Sequence, residues 1–210
     1  MSSPPHEHVL VPGTNKGSAP LVLLHGSDGE EFDLLELAHR LSPTATKLGV
    51  RGRVVMPGGH AFFRRHADRR IDEEDLAART PVLRDFIRGM ERDIGARPVV
   101  VGFSNGAIMA AAMLMSHPDL LAGAVLLRPL SPFAAPPPVD LGGVPVLVLD
   151  GAQDERRAAG DGALLAGDLR GMRAAVTHEV LPVGHAITAQ DTSMAKVWLQ
   201  ETFPDRDVTF

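Results

Sequence analysis

The chain has 210 residues, 44% of them hydrophobic, which suits one ordinary domain with a sizeable core. A formal net charge of −5 with scattered Lys and Arg argues against a nucleic-acid partner, and the absence of cysteine excludes disulfides, thiolate metal sites and a cysteine nucleophile. No apolar run reaches the roughly 18 residues that cross a bilayer, and "MSSPPHEHVLVPG" lacks a basic stretch followed by an apolar one, so a soluble cytoplasmic protein with no membrane span is expected.

Short aliphatic runs alternate with longer periodic segments, the order of βαβ units wound into a mostly parallel sheet. Residues 1–18 read as an arm in which "EHVLVPG" forms an antiparallel edge strand. "HEH" at 6–8 resembles a metal pair but lacks further clustered ligands, so it is expected to be solvated, with neither metal nor cofactor bound. "APLVLLHG" (19–26) is the first buried strand, followed by a helix over 30–42, a strand at "GRVVMP" (52–57) and a long helix over 72–95 that Pro81 should kink or break. "RPVVVGF" (97–103) leads into a helix over 105–118, then "AGAVLLRP" (122–129), a Pro- and Gly-rich connection over 128–145, and "VPVLVLDG" (144–151). A helix over 162–173, an alternating edge strand at 175–183 and a helix over 188–203 complete about seven strands in a single domain over 1–210, with helices on both faces and no large cap.

The sequence "GFSNG" stands where the third buried run turns into a helix. Gly102 and Gly106 flank Ser104 at two positions either way, the pattern of a nucleophile elbow, in which strand and helix approach too closely for side chains and the serine is held in a strained conformation. Such a turn projects the hydroxyl above the carboxyl edge of the sheet and aims the backbone N–H of Asn105, at a helix N-terminus, into the same space.

A serine hydroxyl needs a base held by a carboxylate, and this fold places them in the order Ser, acid, His. Asp154 is favoured as the acid because it lies in the loop beyond the strand that Asp150 closes; Asp161 is a third choice. His185, in "LPVGHAIT" between the last strand and the last helix, is the expected base, whereas His178 sits inside a strand and His117 at a helix end. A second N–H donor for an oxyanion should come from the loop "HGSDG" after the first buried strand, where Ser27 supplies it and His25 braces the loop.

In order, "LLHGSDG", "FFRR" with "DEEDLAART", "GFSNGA", "GAVLLRP", "LDGAQD" and "GHAIT" make the chain resemble the carboxylesterase/phospholipase/thioesterase branch of α/β-hydrolases, over residues 21 to about 200. The resemblance implies an α/β-hydrolase fold, hydrolysis of small-molecule carboxylic esters through an acyl-enzyme, Ser104, Asp154 and His185 as triad, and Ser27 with Asn105 as oxyanion donors. It leaves as alternatives a thioesterase or lysophospholipase on the same fold and, from another class, a non-catalytic ligand-binding homologue. One departure is "LDGAQDERR", where relatives often carry proline after the acid.

For specificity, Phe62 and Phe63 read as an apolar pocket wall, with Arg64 or Arg65 meeting an anionic group; the competing reading puts the phenylalanines in the core and pairs the arginines with the acids that follow. Leu130 and Phe133 in the Pro-rich connection are expected to approach substrate, and Met109 and Met113 to pack their helix. A homodimer is the default assembly, with no residue arguing for it.

Overall fold

The computed structural model describes residues 6–206; residues 1–5 of the expected N-terminal arm and the last four positions of the 1–210 span lie outside them. The strands are β1 (His8–Val11), β2 (Leu21–Leu24), β3 (Lys47–Val50), β4 (Val54–Met56), β5 (Gly59–Ala61), β6 (Val99–Phe103), β7 (Gly123–Leu127), β8 (Pro145–Gly151) and β9 (Ala175–Leu181). The helices are α1 (Leu35–Leu41), α2 (Glu73–Gly89), α3 (Glu91–Ile94), α4 (Asn105–Ser116), α5 (Asp161–Gly171) and α6 (Ala189–Thr202).

Seven strands form one sheet in the order β1-β3-β2-β6-β7-β8-β9, parallel except for β1, which runs antiparallel to β3 at the edge. Period-2 alternation sends Val22, Leu24, Val100, Leu126 and Val148 to the face covered by α2, α4 and α5. The opposite face, with Leu21, Leu23, Val101, Val125 and Leu147, takes α1 and α6. Every residue of α4 except Ser116 is buried, which explains why this helix is Ala- and Met-rich all round rather than amphipathic. The α/β-hydrolase fold expected from the sequence is therefore present, with the alternating run at 175–183 on the far edge and no helix inserted between β7 and β8.

Two local expectations need correction. The second buried strand is not "GRVVMP": the sheet takes β3, all four of whose residues are buried, while β4 pairs only with β5 in a separate hairpin that leaves Val55 80% exposed. Lys47 hid the true strand, since its charge argues for solvent; its ammonium instead donates to the carbonyls of Pro43 at 3.2 Å and Ala45 at 2.8 Å. Pro81 does not break α2, which continues to Gly89, and the Thr80 hydroxyl donates to the carbonyl of Leu76 at 2.7 Å on the way through. Among the described residues no helix is long and apolar enough to cross a membrane.

The topology fixes where chemistry can occur. β3 and β6 lie on opposite sides of β2, so the loops leaving β2 and β6 diverge and open a crevice at the carboxyl ends of the strands. Because β6, β8 and β9 are mutually parallel, residues that follow all three reach the same rim.

Candidate active site

Ser104 leaves β6 with φ 51° and ψ −107°, a backbone conformation costing about 1–3 kcal/mol for a non-glycine residue. Its N–H donates to the Leu127 carbonyl at 2.9 Å and its carbonyl accepts from Ile108 at 3.1 Å, so strand and helix hold it from both sides. The glycines are there for proximity. A Cβ on Gly106 would overlap the carbonyls of Leu24 and His25 at the end of β2, and one on Gly102 would overlap the α4 backbone at Gly106 and Ala107.

The hydroxyl of Ser104 lies 3.0 Å from His185 Nε2, and His185 Nδ1 lies 2.7 Å from Asp154 Oδ2. A carboxylate accepts only, so Nδ1 carries the proton and Nε2 is left to accept from the serine hydroxyl. The Asp154 side chain is fully buried, with its other oxygen accepting from the N–H of Arg156 at 2.8 Å, while Phe103 packs on the His185 ring with centroids 5.2 Å apart. Burial pushes the His185 imidazole below its ordinary value, against the opposing pull of Asp154, and the charges of Arg157 and Arg156 add to the depression.

The loop after β2 passes over the serine. A Cβ on Gly26 would stand 3.0 Å from the Phe103 ring and 3.7 Å from Ser104 Cβ, so a larger residue here would press the ring that packs on His185. His25 braces the loop: one ring nitrogen donates to the Gly26 carbonyl at 2.6 Å and the other accepts from the N–H of Gly52 at 3.0 Å. Asn105 is the first residue of α4, so its N–H has no acceptor within its own helix. Its side chain is committed elsewhere, accepting from the N–H of Phe62 at 2.8 Å and donating to the Phe63 carbonyl at 3.4 Å.

That bond bears on the "FFRR" segment. Phe62 and Phe63 are 2% and 1% exposed and belong to the core, with their backbone tied down by Asn105; neither lines the groove that Arg157 borders, and Phe62 instead borders a separate cavity of about 130 Å³ with His6, Leu83 and Met109. Arg64 is likewise no anion receptor, since its guanidinium lies 3.6 Å from Asp72 and 3.2 Å from Asp75. Arg65, Leu130 and Phe133 do line an open groove of about 800 Å³ beside the serine. The competing acids are occupied, Asp150 pairing with His178 at 2.6 Å and Asp161 accepting from Ala158 at 2.7 Å. Of "HEH", Glu7 and His8 are exposed as expected, but His6 is buried; both histidine rings lie against Phe86, and Glu7 pairs with Arg51. Among the described residues no group of three metal-ligating side chains occurs.

Three residues that sequence reasoning did not single out shape the site. Arg128, fully buried at φ 55°, holds Asp191 through two hydrogen bonds of 2.8 Å and donates to the carbonyls of Gly184 and Ala186, on either side of His185, at 3.0 and 3.3 Å. Asp191 also accepts from the N–H and hydroxyl of Thr188, the N-cap of α6, in a capping box that "TAQD" could have revealed. Burial opposes ionisation of Asp191, yet the bonds from Arg128 and Thr188 hold its carboxyl below the ordinary range. Arg157 reaches back from the loop after β8 and donates to Ser104 Oγ at 3.1 Å; nothing in a run of arginines on a loop distinguishes the one that turns inward.

The chain is 35% identical over 198 residues to "Putative hydrolase MhqD" of Bacillus subtilis (strain 168), a match covering 93% of this chain and 98% of that protein. It is similar to the crystal structure of the Bacillus cereus carboxylesterase, with a TM-score of 0.90 and 35% identity over 94% of this chain and 95% of that one. The Mesorhizobium loti carboxylesterase matches with a TM-score of 0.84 and 30% identity over 91% and 93% of the two chains. No protein-family model matches.

Proposed function

Since the chain belongs to the carboxylesterases of the α/β-hydrolase fold and is a carboxylic ester hydrolase, we propose that Ser104 is its nucleophile, His185 its general base and Asp154 the carboxylate that orients the base. The observation that carries this is the continuous chain of hydrogen bonds from the Ser104 hydroxyl through both ring nitrogens of His185 to a fully buried carboxylate. His185 takes the hydroxyl proton as Oγ attacks the ester carbonyl; the N–H groups of Ser27 and Asn105 stabilise the oxyanion; the proton passes to the leaving alcohol. Water, deprotonated by the same imidazole, then cleaves the acyl-enzyme. Relatives that are hydrolases and carboxylesterases favour this reading over a thioesterase, a lysophospholipase or a non-catalytic binder. The proposed setting is the cytoplasm, which a cysteine-free chain suits, with one domain carrying the whole site and a homodimer as the default assembly.

Labelling with a fluorophosphonate, followed by peptide mapping, tests the nucleophile. The adduct is expected on Ser104; an adduct on another serine, or none under conditions of active turnover, overturns the assignment. The pH profile tests the base. Only the neutral imidazole accepts a proton, so kcat/KM falls as pH drops through the His185 titration, and because burial depresses that titration the midpoint is expected below 6.5. A midpoint well above this value contradicts a buried imidazole base.

A further inference from the structure

Arg157 is placed where a hydrolytic site has no obvious use for a cation. Its Nη2 donates to Ser104 Oγ at 3.1 Å and to the Arg128 carbonyl at 2.6 Å; its Nε donates to the carbonyls of Arg128 and Pro129 at 2.9 and 3.1 Å, and Nη1 to that of Arg156 at 3.1 Å. These acceptors fix the guanidinium plane and use four of its five N–H groups, leaving one on Nη1. None of them carries a charge. Arg65, across the groove, donates to the Arg69 carbonyl at 2.8 Å and has no carboxylate partner either.

The acids that line the same groove are engaged locally. Asp68 pairs with Arg70, Glu73 accepts from the N–H of Ala134, Asp161 from that of Ala158, and Asp168 from the Ser131 hydroxyl; Glu155 is exposed. Among the described residues, two half-buried guanidiniums thus face one space beside the nucleophile with no carboxylate within ion-pair distance. Their acidity reflects this: burial, with Arg65 adding to it, pushes Arg157 down to about 10 against the opposing pull of the more distant Asp154, Asp161 and Asp150, and burial with Arg69 lowers Arg65. Guanidinium groups fixed in a plane, partly desolvated and without a carboxylate in direct contact are suited to bind one from a ligand.

We propose that Arg157 and Arg65 form an anion-binding subsite next to Ser104, so that the preferred substrates are esters carrying a free carboxylate. This rests on Ser104 as nucleophile. With the guanidinium edge touching Oγ, and a reacting carbonyl carbon about 3 Å from that oxygen, the bound carboxylate lies on the order of 4–6 Å from the scissile carbonyl, the reach of two or three methylenes. Half-esters of short dicarboxylic acids meet that spacing if the charge is on the acyl side.

The test compares kcat/KM for monoethyl glutarate against ethyl valerate, which places the charge on the acyl side, and for 3-acetoxypropanoate against propyl acetate, which places it on the alcohol side. A preference for the charged member of at least one pair, about tenfold or more and weakening with added salt, is expected, and the pair that shows it identifies the side. Arg157→Gln and Arg65→Gln should each lower that ratio severalfold or more, with Arg157→Lys retaining part of it. Arg65 touches no triad residue, so its variant reads the subsite if Arg157→Gln folds poorly. No preference in either pair, or a preference untouched by both glutamine variants, overturns the subsite. Fluorophosphonate labelling of the same preparations separates the outcomes: Ser104 modified with no charge preference sinks the subsite alone, whereas failure to label Ser104 sinks the nucleophile beneath it.

Discussion

Ser104→Ala is expected to lower kcat/KM for any ester by about 10⁴- to 10⁶-fold, leaving only what the oxyanion donors and binding supply. The fold should survive. Alanine keeps the Cβ in the space between β6 and α4 and asks for the same backbone, at φ 51° and ψ −107°, that serine already adopts. What disappears is the Oγ, 3.0 Å from His185 and 3.1 Å from Arg157, and Arg157 borders an open groove from which water can reach the vacated position. The thermal midpoint is therefore expected within about 3 °C of the parent, as for a change that leaves no buried polar group without a partner. Rates measured by acid release, beside a melting curve, check both halves. Activity within tenfold of the parent contradicts Ser104 as nucleophile; a collapse of the melt instead makes the hydroxyl part of the architecture.

The elements proposed to carry this chemistry were legible because each obeys a rule that acts along the chain. The elbow needs small residues two positions either side of the nucleophile, and a strand run before it, so "VVVGFSNGA" announces itself. Asp154 and His185 were readable from order and position, since parallel strands deliver the loops after β8 and β9 to one rim and the three side chains meet there. The failures have a common cause in three-dimensional partners. Lys47 is buried by carbonyls of its own turn, so charge misdirected the second strand to the exposed hairpin at Val54–Met56. For Phe62, Phe63 and Arg64 the sequence offered two readings, and the structure takes the one with the rings in the core and the arginine beside Asp72 and Asp75, because Asn105 pins the backbone of the phenylalanines from a distant helix. Arg157 is the inverse case: "DERRAAG" reads as a solvated charge run, and only folding shows the second arginine turned toward the serine.

Arg128→Met is expected to cost about 3–5 kcal/mol, the usual price of leaving one member of a buried ion pair behind, and to lower the melting midpoint by roughly 10 °C in a chain of this size. Asp191 is then a fully buried carboxylate without its cation, and the carbonyls of Leu149, Gly184 and Ala186 each lose a donor. Two of those carbonyls flank His185, so the imidazole loses the clamp that fixes its distance to Ser104, and a displacement of about 1 Å at that point is enough to reduce kcat on the order of 100-fold. Stability and positioning can be separated. In the double variant Arg128→Met with Asp191→Asn the stranded charge is gone while the amide oxygen can still accept from Thr188 at the α6 N-cap, so part of the lost midpoint should return. The catalytic defect should not, because nothing restores a donor to the His185 loop. If kcat recovers with the melt, the pair serves the fold alone; if the melt recovers and kcat stays low, Arg128 acts through the loop that presents the base.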